Sequence, residues 1–209
     1  MFVPKDYAAP SEDAVADLLR NHGLAEYVTH TGAGLVSSPI PFVFKPELGE
    51  FGTLQGHVDL LNPQWRAPVS GDALVIIHGP DGYISPAWYE AGNSKVVPTW
   101  NMVIAHVYGQ VVIHSDIEWV RMNVTDLVDK HEALQGTGWA MSDADPDYVN
   151  RLLPAIVGVE MVISRIEAKF KLSQDKPASV HASALAALAA AGEIELAAQM
   201  SQTGCSHRD

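Results

Sequence analysis

The chain has 209 residues, 47% of them hydrophobic and 18% charged, the composition of an ordinary globular protein able to bury a sizeable core. Thirteen Lys and Arg stand against 25 Asp and Glu, a net charge of −12, which repels a polyanion and argues against direct DNA binding. There is no run of 18 apolar residues and no basic segment leading into an apolar one, so neither a membrane span nor a secretory leader is expected and the default address is the cytoplasm.

In chain order, Ser11 precedes EDAVADLLRNHG, with acids in a first turn, Val15, Leu18 and Leu19 on one face, and Gly23 as a stop. That pattern predicts a capped helix over about 11–22. AEYVTHTG and LVSSPIPFVF, parted by Gly32 and Gly34, read as a hairpin, and Pro39 and Pro41 predict that its second strand is an edge or bulges there. TLQGHVDLL, DALVIIHG, YISPAW and WNMVIAHVYGQVVIH follow as strand-like runs at the spacing of a barrel or sandwich. DIEWVRMNVTDLVDKHEALQ then places Val120, Val124, Leu127, Val128, His131 and Leu134 at helical spacing, and DPDYVNRLLPAI offers a shorter helix closed by Pro154.

IVGVEMVISRIEAKFKL returns to alternation, with Arg165, Glu167, Lys169 and Lys171 on one face and Ile166, Phe170 and Leu172 on the other. The alanine-rich tail over about 177–201 starts at Pro177 and predicts a helix broken near Gly192. With no internal repeat or long linker, one domain over 1–209 is expected. Cys205 is the single cysteine, which leaves no intramolecular disulfide and no cysteine-held metal cluster.

The stretch HGPDGYISPAWY carries Gly79 and Gly82 but none of the spacing of a phosphate-cradling loop. No G-x-S-x-G occurs, and Ser85 runs directly into Pro86, so serine-hydrolase chemistry is not expected and no catalytic residue emerges. His106 and His114 share a strand face with Tyr108, but eight residues along a strand separate them by roughly 26 Å, too far to hold one ion. No local His spacing of a metal site occurs, and no protein-held metal is expected. Trp65, Tyr83, Trp88, Tyr89 and Trp100 crowd the β region. GHVDLLNPQW and VPTWN set such aromatics beside His57, Asn62, Thr99 and Asn101, company that suits a planar ligand with polar edges.

The ordered set GHVDLLNPQW, GPDGYISPAWY, VPTWN, IVGVEMVISRIEAKFKLSQDKP and GEIELAAQM resembles the PaiB-like family of FMN-binding negative transcriptional regulators, and the likeness runs from MFVPKDY to about Met200. The resemblance implies a mainly β (α+β) fold, a six-stranded split β-barrel with flanking helices. It also implies a homodimer whose interface supplies both halves of two FMN sites. On that reading Lys171 and Ser173, taken as sharing a face of the last strand, meet the phosphate with Lys169 and Gln174. Ser37 and Ser38 add hydroxyls, while His57, Asn62, Thr99, Trp100 and Asn101 lie beside the ring. FMN would carry the chemistry of a flavin-dependent redox or sensing protein.

Three positions depart from the family pattern: KLSQN followed by Arg stands here as KLSQDK, Leu60 or Leu61 replaces a basic residue, and Phe2 replaces a Tyr. Related split barrels bind or degrade haem, a rival reading in which His57, His78 or His106 is the axial ligand. Regulation of transcription without a bound flavin is the other rival.

Overall fold

The computed structural model describes residues 1–21, 23–89 and 97–203; His22, where the first helix was expected to end, and the tail holding Cys205 lie outside them. Helix α1 spans Glu12–Asn21, opened as the sequence predicts by the Ser11 hydroxyl, which accepts from the Ala14 N–H at 3.1 Å. Strands β1 (Leu24–Thr31) and β2 (Gly34–Lys45) form the predicted hairpin. Thr31 pairs with Gly34 across a two-residue turn, and Gly34 takes φ +106, a conformation open to glycine and costly for other residues. Pro39 and Pro41 face Glu26 and Leu24 of β1, whereas β3 (Thr53–Asp59) pairs with β2 through Phe42–Lys45 alone. The prolines thus occupy the half of β2 whose ladder runs to β1 alone, where a missing N–H is tolerated.

The remaining strands are β4 (Ala73–Ile84), β5 (Thr99–His114) and β6 (Ile156–Lys171). The six strands follow one another in the order β1-β2-β3-β6-β5-β4 as a closed barrel; β1 meets β4 antiparallel through Glu26–Val28 and Leu74–Ile76. This is the split β-barrel with flanking helices implied by the resemblance. One reading is corrected. DALVIIHG and YISPAW are not two strands parted by a turn: β4 runs unbroken through His78–Gly82, and a 3-10 turn at Pro86–Trp88 follows. The glycines serve packing. A Cβ on Gly79 would lie 3.0 Å from both Leu18 Cδ1 and Val103 Cβ, and one on Gly82 would lie 2.8 Å from Leu196 Cδ2.

Helix α2 (Ile117–Gln135) begins at Asp116, whose carboxylate accepts from the Trp119 N–H at 2.9 Å, and stops at Gly136 with φ 65. Its buried stripe is Val120, Asn123 and Leu127. Leu134, expected on that stripe, is 60% exposed, because periodicity names a face but not how far along the helix that face is covered. Helix α3 (Pro146–Leu152) passes into a 3-10 turn at Leu153–Ala155 that contains Pro154. Helices α4 (Ala178–Ala191) and α5 (Ile194–Thr203) are divided at Gly192, φ 88, as predicted. Among the described residues no helix is long and apolar enough to cross a membrane.

The chain gathers into two compact units. The first comprises Met1–Leu18, His78–Ala105 and Glu167–Asp209, and the second Leu19–Ile77 and His106–Ile166. Ile84, Val103, Phe170, Leu172, Leu188, Leu196 and Met200 are buried in the first; Tyr27, Phe42, Leu54, Val75, Val107, Val159 and Met161 are buried in the second.

Tyr27 gives the second unit a pH signature. Burial pushes its phenol from 10.0 up to about 12. Between those values the unfolded chain releases a proton that the folded chain keeps, so stability is constant below pH 10 and falls above it, by at most about 1.4 kcal/mol per pH unit from this group. Urea unfolding at pH 9 and pH 11 is expected to show a smaller loss for Tyr27→Phe than for the parent protein, and equal losses would contradict this assignment.

Candidate functional site

The first unit brings together seven of the residues singled out by sequence: Thr99, Trp100, Asn101, Lys169, Lys171, Ser173 and Gln174. Lys171 is the last residue of β6 and Thr99 the first of β5. The Lys171 ammonium donates to the Thr99 hydroxyl and, at 2.6 Å, to the Trp100 carbonyl. Both acceptors are neutral, and an ammonium carries three N–H groups, so a third donor remains. Burial lowers the Lys171 pKa, with the charge of Asp175 opposing the shift. The Tyr7 ring lies 5.9 Å from the Lys171 ammonium and 6.0 Å from that of Lys169, the outer limit of attraction between a cation and a ring face.

Trp100 is 48% exposed. Its indole N–H donates to Asp81 at 2.9 Å, and Tyr83 meets its ring edge-on at 6.1 Å. The ring is therefore oriented while part of it stays open to solvent. Asn101, Ser173 and Gln174 are buried instead. The Ser173 hydroxyl donates to Asn101 Oδ1 at 3.1 Å, and Asn101 Nδ2 donates to the sulfur of Met200 at 3.4 Å. Gln174 is committed to its own turn: Oε1 accepts from the Leu172 N–H at 2.7 Å and Nε2 donates to the Phe170 carbonyl at 2.5 Å.

Here the structure corrects the sequence reading, since Lys171 and Ser173 do not share a strand face. β6 ends at Lys171, and Ser173 takes φ 62, a left-handed conformation uncommon outside glycine. The resulting turn points the Ser173 hydroxyl at Asn101. The rest of KLSQDK forms a charged corner. Asp175 pairs with Lys176 at 2.9 Å and accepts a hydrogen bond from Tyr7. The Tyr7 phenol is raised by burial first and by Asp175 second, while the Lys176 ammonium is raised chiefly by its hydrogen bond to Asp175.

Ser37, Ser38, His57 and Asn62 fall in the second unit. Ser37 is exposed on β2. Ser38 donates to Gln64 Oε1 at 2.6 Å and accepts from Asn62 Nδ2 at 2.9 Å, and Asn62 Oδ1 caps the 3-10 turn Pro63–Arg66 by accepting from the Gln64 N–H at 2.9 Å. His57 Nδ1 lies 3.0 Å from Asn123 Oδ1. The polar company of Trp65 thus has a structural account: Asn62 starts a turn, and the Trp65 N–H donates to the Leu60 carbonyl at 3.1 Å. His106 meets Tyr108 edge-on at 6.4 Å, and His114 stacks on Trp119 at 4.1 Å. Among the described residues no three of His, Cys, Asp and Glu gather as a metal-ligand set.

Sequence reasoning passed over Tyr7 and Gln64. Tyr7 stands more than 160 positions before the lysines it faces, with no periodicity linking it to them. Gln64 had a signal in hindsight, as the polar residue of NPQW that follows a capping Asn and a Pro.

Known proteins agree with this fold. A family model described as "Putative FMN-binding domain" matches residues 1–165. Protease synthase and sporulation protein PAI 2 of Bacillus subtilis is 27% identical over 177 residues, covering 84% of this chain and 83% of that protein. An uncharacterized protein of Emericella nidulans is 29% identical over 213 residues, covering 84% and 85%. Among solved structures, the FAD and heme binding protein from Mycobacterium smegmatis superimposes with a TM-score of 0.54 at 18% identity, over 78% of this chain and 72% of its own. The flavocytochrome Anf3 from Azotobacter vinelandii does so at 0.54 and 14%, over 78% and 69%. At such identities these two likenesses show the fold alone.

Proposed function

The chain belongs to the family described as "Putative FMN-binding domain", and from that premise we propose that it binds FMN as a homodimer and serves as a flavin-dependent redox or sensing protein. The observation that carries this reading is the Lys171 ammonium: half-buried, engaged by two neutral acceptors, with a third N–H to give. In this role its remaining N–H donates to a phosphate oxygen, a bond strengthened by charge on both sides. Lys169 and Lys176 add positive charge against the single carboxylate of Asp175 within KFKLSQDK, a balance that suits a phosphate monoester of about −1.5 to −2. Trp100, oriented by Asp81 and Tyr83, offers a flat face for a ring system. Asn101, Ser173 and Gln174 hold the corner from beneath by fixing the turn after Lys171. Bound FMN would supply reversible two-electron chemistry, and the chain would supply binding and orientation.

The homodimer and the link to transcriptional regulation rest on the PaiB-like resemblance. The charge of −12 favours regulation through a protein or metabolite over direct contact with DNA, and a mobility-shift assay with genomic fragments at physiological salt separates the two. The cofactor itself is tested by titrating FMN with purified protein while following flavin fluorescence and, by light scattering, particle mass. Saturable binding in about the micromolar range, −8 kcal/mol, with a mass twice that of the 22.5 kDa chain, is expected. Linear, unsaturated quenching would end the flavin reading, and a Soret band in purified protein would favour haem.

A further inference from the structure

A second recess in the molecule has no part in the reading above. It lies wholly within the second unit: a recess of about 240 Å³ whose walls include Tyr27 of β1, Gln64 and Trp65 of the 3-10 turn, Ala67 beyond it, and Gln110 and Ile113 near the end of β5. We infer that this recess binds a small, uncharged, planar amide or lactam, whose carbonyl accepts from the Tyr27 hydroxyl and whose N–H donates to the Gln110 side-chain oxygen.

Tyr27 carries the argument. The residue is 1% exposed; Gln64 bonds its carbonyl and its ring meets Phe42 edge-on at 6.4 Å, and among the described residues its hydroxyl makes no hydrogen bond yet is not sealed from solvent, on the side where Tyr27 lines the recess. A phenol hydroxyl that no protein group engages is available to donate to whatever enters the recess. Burial also keeps it protonated, so it acts as a donor throughout the physiological range.

The neighbouring walls are fixed in advance. Gln64, also 1% exposed, spends its amide on Tyr27 O at 3.1 Å, Thr29 Oγ1 at 3.0 Å and Val36 O at 3.3 Å, and its carbonyl on Ser38. Trp65 is pinned by its bond to Leu60 and covered by the Arg66 guanidinium, 4.5 Å from its ring centre. Gln110 gives its amide nitrogen to Asp72, which leaves its oxygen as an acceptor. No charged side chain lines the recess, so a bound ion would lack a partner, and the volume is below that of most drug-sized sites. A single ring bearing one amide fits both limits.

Benzamide is the probe and toluene its counterpart without the amide, each titrated into the full chain by saturation-transfer NMR. Benzamide is expected to bind saturably at about millimolar concentration or below. Tyr27→Phe, which removes only an unpartnered hydroxyl, is expected to weaken benzamide roughly three- to tenfold and to leave toluene unchanged. Ala67→Phe, which fills the recess from its rim, is expected to abolish both. The inference is overturned if benzamide fails to saturate, if Tyr27→Phe leaves it unchanged or weakens toluene equally, or if FMN displaces it, since the recess would then be the flavin's own.

Discussion

Replacing Lys171 by Ala is expected to weaken FMN binding by about 1.5–3 kcal/mol, roughly 10- to 150-fold in Kd. The size follows from its surroundings. A fully solvated lysine exchanges water for phosphate at little net gain, whereas Lys171 is already partly stripped of water and held by Thr99 and Trp100, so less desolvation and less ordering remain when an anion arrives. Lys176 is the internal control. It is paired with Asp175 at 2.9 Å, and Lys176→Ala should cost less. Riboflavin, which lacks the phosphate, should bind the Lys171→Ala variant as well as it binds the parent. Equal losses for FMN and riboflavin would assign Lys171 to the ring or to the fold, and an unchanged FMN affinity would move the phosphate elsewhere. Because burial lowers the Lys171 pKa, its contribution should fade at a pH below the ordinary lysine range.

Gly109→Ala is expected to destabilise the protein by about 3 kcal/mol or more. A Cβ on Gly109 of β5 would lie 2.2 Å from the Val162 carbonyl oxygen of β6 and 2.9 Å from Met161 Cγ. The nearest obstacle is backbone, which cannot rotate aside as a side chain can, so relief requires the two strands to part and their ladder to stretch. Gly32→Ala is the matched comparison, since nothing lies within 4 Å of its Cβ position, and its effect should stay within about 0.5 kcal/mol. Thermal unfolding followed by circular dichroism measures both. Similar midpoints for the two variants would show that β5 and β6 have more slack at Gly109 than the structure gives them.

Part of the candidate site was legible in the sequence. Alternation puts Lys169 and Lys171 on one face of β6 and the family resemblance assigns them to the phosphate, while Thr99 and Trp100 stand out in an aromatic stretch flanked with polar groups; the structure sets these four in one unit. Ser173 does not lie on the strand face that alternation gives it, because β6 ends at Lys171. Nothing local announces that Ser173 leaves the strand at φ 62; its bond to Asn101, 72 residues away, accompanies that turn. Tyr7 could not be found at all, since its partners are distant in sequence. Ser38 and Asn62, read from sequence as ligand contacts, bond Gln64 and seat it in the fold, a relation visible only once β2 and the turn after β3 are side by side.

The sequence by itself determined the elements. Ser11 as a cap, Gly34 and Gly192 as turn and break, and alternation along β6 as far as Lys171 all act over a few residues, and each appears where it was read. Only the tertiary structure decided that HGPDG continues a strand. Its glycines and proline speak for a turn locally, but Leu18, Val103 and Leu196 arrive from far along the chain to occupy the space left by the missing side chains of Gly79 and Gly82. Burying that apolar surface outweighs the local preference of a few residues, at about 25 cal/mol per Å² against about 1 kcal/mol for each misplaced glycine. The Tyr27 recess has the same origin: its walls come from β1, β5 and the turn after β3, and no short stretch of the chain contains them.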